Sequence, residues 1–439
     1  MNWNFRKATW LILTVAFLLR LTAAFAWHQT TDAESHFFRM GDSLSYWVLA
    51  EHIAAGESYE YGSPDASIFR APLFPLFLAP FTALPVGLSS QVLLARLACA
   101  ALGTLAVGLL MLFARGLAGP CAGLAAGALA AVYPSAIGMS ITLLSEALFM
   151  PLMMTHLLQL QAAFQVESSN SDTGSLYPYR RVALGGCLAG LAILARPSWL
   201  LFIPFSTAAL FLIGPNRTEH LKLGAIALLA MSVTMSPWWV RNYQLTGHFV
   251  PTSLQVGLSL YDGLHPEATG GSDTGMAFSM RLQEEQRVAD AATTEPLEST
   301  FEYRVDRRAK AAAVQYALEH PGRTIQLAGL KFLRTWSLWP GGGESASGFM
   351  RMAITISCFF VLVFAAIATF GRSTQSTLLA KQGRAVIWLC WLPCIYFTLL
   401  HMVFVGSIRY REPAVFILCA LAGVALAAKA GCHVQEKET

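Results

Sequence analysis

Charged side chains are scarce in this chain, and several stand where an apolar run should hold none. Glu146, Arg20, Arg96, Arg196, Arg241, Arg409 and Arg411 lie inside long hydrophobic stretches or at their edges, and Asp42 lies outside the first of them. A charge at membrane depth costs about 2.5–3.5 kcal/mol on insertion scales, so each one needs a reason. Guanidiniums stay ionised and present a planar fork that fits phosphate oxygens. A carboxylate suits removal of a proton from a hydroxyl. One cavity holding two carboxylates and several guanidiniums fits transfer of a group from a lipid phosphate to an alcohol.

The elements that must position these residues follow from composition. Of 439 residues, 55% are hydrophobic and 13% charged, whereas a soluble domain carries about 25% charged residues. The net charge of +4 is small and the basic residues are scattered, which excludes nucleic acid as a partner. Ten apolar runs approach the ~20 residues a spanning helix needs. They lie at about 8–27, 90–114, 118–138, 141–163, 182–196, 198–214, 220–240, 348–370, 385–405 and 412–428. The first is too long for a signal peptide, and Trp27-His28-Gln29 is a poor cleavage site, so it reads as an anchor. The expected fold is all-α and membrane-embedded, with about ten spans, and a single domain covers 1–439. The cysteines fall in apolar stretches and in the tail, so free thiols are expected rather than a disulfide framework.

Lysine and arginine in the short connections set the orientation. Arg6, Lys7, Arg115, Arg180, Arg181, Arg217, Lys222, Arg372, Lys381, Arg384, Lys429 and Lys437 fall on one side, and Arg196, Arg409 and Arg411 on the other. The bias places both termini, including the 429–439 tail, in the cytoplasm, and the unusual charges near the extracytoplasmic surface; the expected location is the plasma membrane of a prokaryote. Two long outer segments remain, 28–89 and 241–347. In the first, Asp42-Ser43 precedes Tyr46, Leu49, Ala50 and Ile53 at helical spacing, which predicts a short helix on the membrane surface. Residues 71–85 are apolar but punctuated by prolines and read as an interfacial piece. In the second, 262–280 reads as flexible and a helix is predicted over about 297–319. Ile325, Phe332, Leu333 and Trp336 then share one apolar face of a further surface helix.

With these segments in order, the chain resembles the GT-C superfamily of membrane glycosyltransferases, in its protein O-mannosyltransferase and aminoarabinose-transferase branch. The resemblance is carried by Arg20-Leu21, GDSLSYWVLAEHIAAGESY, FRAPLFPLFLAPF, ARLACAALGTL, LLSEALFMPL, GLAILARPSWLL, SPWWVRNY with VGLSLYDGLHP, and SIRYREPAV. Where the family often has two adjacent acids in the first loop, Gly41-Asp42-Ser43 offers one, and basic-Pro-Pro becomes Arg70-Ala71-Pro72.

The resemblance implies an inverting transfer from a polyprenyl-phosphate sugar to a hydroxyl acceptor, with membrane lipids around the site. It implies Asp42 as general base and Glu146 as the second acid of the site. Arg70, Arg409, Arg411 and Arg241 would hold the donor phosphate, and Tyr46, Asn242 and Arg196 would line the cavity. The chemistry requires no cofactor, and it allows a divalent ion near Asp42 and Glu146 without requiring one. Blander readings stand beside these. Asp42 would cap its helix, Arg20 would snorkel to headgroups, and Arg409 and Arg411 would be interfacial anchors. Two rival functions also stay open: a polymerase or ligase using pyrophosphate-linked donors, and a lipid or glycan transporter without chemistry.

Overall fold

The computed structural model describes residues 5–33, 36–39, 41–63, 66–168, 177–213, 216–273, 277–297, 299–340 and 347–431. Most of the 429–439 tail lies outside the described residues. Among the described residues every regular element is helical. In chain order they are α1 (Phe5–Ala33), α2 (Gly41–Ala55), α3 (Leu73–Thr82), α4 (Leu88–Ala118), α5 (Pro120–Val132) and α6 (Pro134–Met139). Next come α7 (Glu146–Ser168), α8 (Tyr177–Ala195), α9 (Phe202–Ile213), α10 (Arg217–Thr246), α11 (Val256–Gly263) and α12 (Ala277–Ala292). The last are α13 (Phe301–Glu319), α14 (Pro321–Thr335), α15 (Gly348–Phe370), α16 (Arg372–Val403) and α17 (Ile408–Lys429).

Six helices are long and apolar enough to cross a membrane: α1, α4, α7, α10, α15 and α17. Shorter apolar helices accompany them at Leu73–Thr82, Pro120–Val132, Pro197–Ile213 and Ile387–Val403. The chain is thus a multi-pass membrane protein, but its ten apolar runs do not become ten equal spans. The run at 118–138 breaks at Tyr133, where the extended backbone before Pro134 ends α5 and α6 begins. The run at 141–163 becomes helical only at Glu146.

Helix α17 is the hub. Every residue from Arg411 to Ala425 is buried, and the helix packs against α4, α5, α15 and α16. Without a hydrophobic drive between helices in lipid, such contacts rely on small residues that let backbones approach. Gly423 meets α5 this way: a Cβ there would stand 2.5 Å from the Ala126 nitrogen and 2.7 Å from the Ala122 carbonyl oxygen. Backbone cannot move aside as a side chain can. Gly423→Leu is therefore expected to push α17 off α5 and destabilise the protein by roughly 1–3 kcal/mol. A drop in thermal midpoint in nanodiscs checks this, and an unchanged midpoint would refute the close packing.

The charges buried within the bundle divide into structural ones and others. Arg20 is fully buried and donates to the carbonyls of Ala16, Ala130 and Ala131 and to Ser140 Oγ. It satisfies carbonyls freed where α5 ends, so it does not snorkel. Arg96 is likewise buried and binds His28, Thr31 Oγ1 and the Phe37 carbonyl, tying α4 to α1 and the segment after it. Cys99, Cys187, Cys358, Cys390, Cys394 and Cys419 are free. Cys121 is disulfide-bonded, which corrects the expectation of free thiols throughout.

The two long segments, 28–89 and 241–347, are more helical than their composition suggests. Helix α12 occupies part of the stretch read as flexible and the gap after it. Phe278, Leu282 and Gln286, at spacing i, i+4, i+8, form its buried stripe. Its many charges hide that stripe from a hydropathy reading. Helix α13 starts at Phe301, later than expected, because Thr300 caps it by accepting from the Tyr303 amide. Helix α3 forms within the proline-punctuated stretch and buries Phe74, Leu78 and Ala79, packing on α2.

Candidate active site at the first long loop and the helix ends

Five charged residues from five separate segments meet at one place. Asp42 lies in the first turn of α2 and Glu146 in the first turn of α7, where a helix N-terminus favours negative charge. Arg196 follows α8 and is held out of it by Pro197. Arg409 lies in the first turn of α17, whose cap Ser407 accepts from the Arg409 amide. Arg70 lies in the non-helical segment before α3.

Their contacts form a continuous chain. Arg70 Nη2 donates to Asp42 Oδ1 at 2.7 Å, and Arg409 Nη1 donates to Asp42 Oδ2 at 2.8 Å. Arg409 also grips Glu146 in a two-pronged contact, Nε to Oε1 and Nη2 to Oε2. Arg196 Nη1 reaches Glu146 Oε1 at 2.8 Å. Asp42 (34%) and Arg409 (28%) are the most exposed side chains of this ionic chain, Arg70 is 19% exposed, and Arg196 (9%) and Glu146 (0%) are buried. The open part is therefore around Asp42. A small cavity lies beneath Glu146, lined by Arg20, Ser140 and Phe416 among others.

Aromatic rings frame the cluster. The Arg70 guanidinium lies over the rings of Phe69 (4.9 Å) and Tyr46 (5.2 Å), and its Nε donates to Ser45 Oγ at 2.9 Å. Tyr410 lies under Arg196 at 5.8 Å and stacks on His401 at 4.2 Å. Burial pushes the Asp42 carboxyl up, but Arg70 and then Arg409 outweigh it and hold it well below the usual carboxylate range. Asp42 pairs with guanidiniums rather than merely capping α2.

The structure brings together Asp42, Arg70, Tyr46, Glu146, Arg196 and Arg409, and leaves out three residues expected with them. Arg411 is fully buried and donates to the carbonyls of Thr335 (3.2 Å) and Ser337 (2.6 Å). Residues i and i+2 of a helix do not share a face, so Arg409 and Arg411 point apart; Arg411 ties α17 to the end of α14. Arg241 donates to the Ser67 carbonyl at 3.1 Å and lies over Trp238 at 4.7 Å. Asn242 is buried and donates to the Val250 carbonyl at 3.0 Å. Both hold backbone around the site rather than lining it. The sequence reading passed over Ser45 and Tyr410. Each lies one to three residues from a singled-out charge, the available clue.

A divalent ion shared by Asp42 and Glu146 does not fit this arrangement. The Arg409 guanidinium stands between the two carboxylates, engaging Asp42 through Nη1 and Glu146 through Nε and Nη2. Among the described residues no group of three or more His, Cys, Asp or Glu is arranged to hold a metal.

No family profile matches the chain. A stretch of 128 residues is 32% identical to Oleosin 5 of Arabidopsis thaliana, covering 28% of this chain and 68% of that one. Asp42 and Arg409 are 367 residues apart, so so short a match cannot account for the fold that joins them. Solved structures match almost the whole chain. The archaeal oligosaccharyltransferase AglB from Archaeoglobus fulgidus, in complex with an inhibitory peptide and a dolichol-phosphate, aligns over 96% of this chain at 13% identity, TM-score 0.57. The Archaeoglobus fulgidus oligosaccharyltransferase tethered to an acceptor peptide aligns over 96% at 14% identity, TM-score 0.55. In both cases this chain spans about half the solved chain, 50%. ArnT from Cupriavidus metallidurans aligns over 88% of this chain at 16% identity, with a TM-score of 0.36 too low to decide the branch. Thus the chain shares, over almost its whole length, the helical membrane fold of these oligosaccharyltransferase structures.

Proposed function

We propose that this protein is an inverting glycosyltransferase that moves a sugar from a polyprenyl-phosphate donor to a hydroxyl acceptor at the extracytoplasmic face of the membrane. The observation that carries the reading is the paired Asp42, flanked by Arg70 and Arg409 at the open part of the ionic chain. That the oligosaccharyltransferase AglB was solved with a dolichol-phosphate supports a lipid-phosphate donor.

In this mechanism Asp42 takes the proton of the acceptor hydroxyl as its oxygen attacks the anomeric carbon. The new glycosidic C–O bond forms as the bond from the anomeric carbon to the phosphate oxygen breaks. Polyprenyl phosphate leaves with the electron pair, and Arg70 and Arg409 hold its charge. Glu146 takes no proton; it fixes the guanidinium plane of Arg409, and Arg196 balances Glu146. The resting pairs also imply an order of events. Asp42 is a weak base while both guanidiniums lean on it. A donor phosphate competing for the same N–H groups restores its basicity only when the donor is in place.

The direct test is transfer by the purified protein from a polyprenyl-phosphate sugar, with mass spectrometry for bound polyprenyl phosphate. Use of pyrophosphate-linked donors alone would replace this reading with the polymerase or ligase one. Because Arg409 holds the place a shared ion would need, chelation is expected to leave transfer within about twofold. Loss of transfer in chelator, restored by a divalent ion, would overturn the placement of Arg409 as the resident cation.

A further inference from the structure

Arg70 belongs to no helix, so something else must hold it against Asp42. The backbone just before it is bound from the second long segment. Glu302, in the first turn of α13, accepts the Ile68 amide at 2.9 Å through Oε2, and the Ser67 amide is also directed at its carboxyl. The Leu254 amide donates to the Ile68 carbonyl at 2.9 Å, and Arg241 donates to the Ser67 carbonyl. On the far side, the Tyr59 hydroxyl donates to the carbonyl of Arg70 itself at 3.1 Å. Ile68 is 1% exposed and its neighbours Ser67 and Phe69 are half-buried, so the segment is anchored at Ile68 as well as bonded. Glu302 is the side chain that engages both amides, and it lies 234 residues from Ile68 in sequence.

We propose that Glu302 is the positioning residue of this site, setting through Ser67 and Ile68 where the Arg70 guanidinium meets Asp42. It touches neither donor nor acceptor; it acts through the backbone. Its surroundings suit the task. Burial, with Asp306 one turn along α13, pushes the Glu302 carboxyl up to about 8, against the Ile68 and Ser67 amides and Arg241. At neutral pH it is largely protonated, so Gln keeps both its shape and its accepting oxygen.

The inference uses the proposed donor only in its second measurement. The first is hydrogen exchange over residues 66–71 of the full chain in nanodiscs. Glu302→Ala is expected to speed exchange there, and Glu302→Gln to leave it as in the wild type. The second is affinity for polyprenyl phosphate, expected to weaken about tenfold in Glu302→Ala, the worth of one or two hydrogen bonds, and to be kept in Glu302→Gln. A folded Glu302→Ala protein with unchanged exchange and affinity overturns the proposal, as does a Gln variant as impaired as Ala. If Glu302→Ala does not fold, Glu302→Asp replaces it, with the same signs expected. If the wild type binds no polyprenyl phosphate, the donor reading fails. The exchange result then decides alone: faster exchange in the Ala variant sustains the clamp, and unchanged exchange sinks it.

Discussion

Asp42→Asn is expected to abolish transfer while the protein still folds and inserts. Asn keeps the size and one accepting oxygen, so Arg70 and Arg409 each retain a partner or reach solvent at this partly exposed position. What is lost is the group that accepts a proton, worth about 10²–10⁴ in rate for general-base catalysis. The comparison to make is single-turnover transfer beside bilayer insertion and thermal midpoint. Retained turnover rules out Asp42 as the base, and a transporter would tolerate the change. The pH profile gives the same residue a second test. The ionised form is active, so rate falls as pH drops through the Asp42 pKa. In the free enzyme Arg70 and Arg409 hold that pKa low against burial, so kcat/KM is expected to persist well into acid. With donor bound, the guanidiniums serve the phosphate, and the acid limb of kcat should move to higher pH. Coincident limbs would show that the donor does not draw them away.

Arg409→Ala is expected to have the largest combined effect, on both stability and transfer. Glu146 is fully buried, and Arg409 grips both of its oxygens. Removing one partner from a buried pair costs about 3–5 kcal/mol, because the remaining charge is left desolvated. Arg196 remains beside Glu146, so the lower part of that range is expected. Arg409→Lys should not rescue, since one ammonium cannot reproduce a fork that engages two carboxylates at once. The double variant Arg409→Ala with Glu146→Gln separates the two effects. It should recover most of the stability, because the stranded charge is gone, and none of the transfer. Full recovery of transfer in that double variant would show that Arg409 serves only to neutralise Glu146.

Much of this architecture can be read without coordinates because a bilayer imposes simple rules. Charges inside apolar runs must find partners, so Glu146, Arg196 and Arg409 announced themselves by depth alone. The one-sided distribution of those charges pointed to one end of the bundle. Which charges meet is a different matter. Arg411 carries the same signal as Arg409, two residues away, yet the helical turn sends it to the carbonyls of Thr335 and Ser337. Arg241 sits at a similar helix end and spends its guanidinium on the Ser67 carbonyl. Helix α12 hid behind a polar composition, because a narrow buried stripe barely changes average hydropathy. Glu302 offers no sequence signal, since its partners are backbone amides, which look alike at every position.

By itself, then, the sequence determined that this is a multi-span helical membrane protein, with charges at the ends of its apolar runs and two long segments between them. Those properties depend on local composition and period, which each stretch of chain carries alone. Only the tertiary structure decided that Asp42 pairs with both Arg70 and Arg409, that Glu146 serves Arg409, and that Glu302 bonds the backbone before Arg70. Those depend on contacts between residues up to 367 apart, where the orientation of each helix face, rather than residue type, selects the partner.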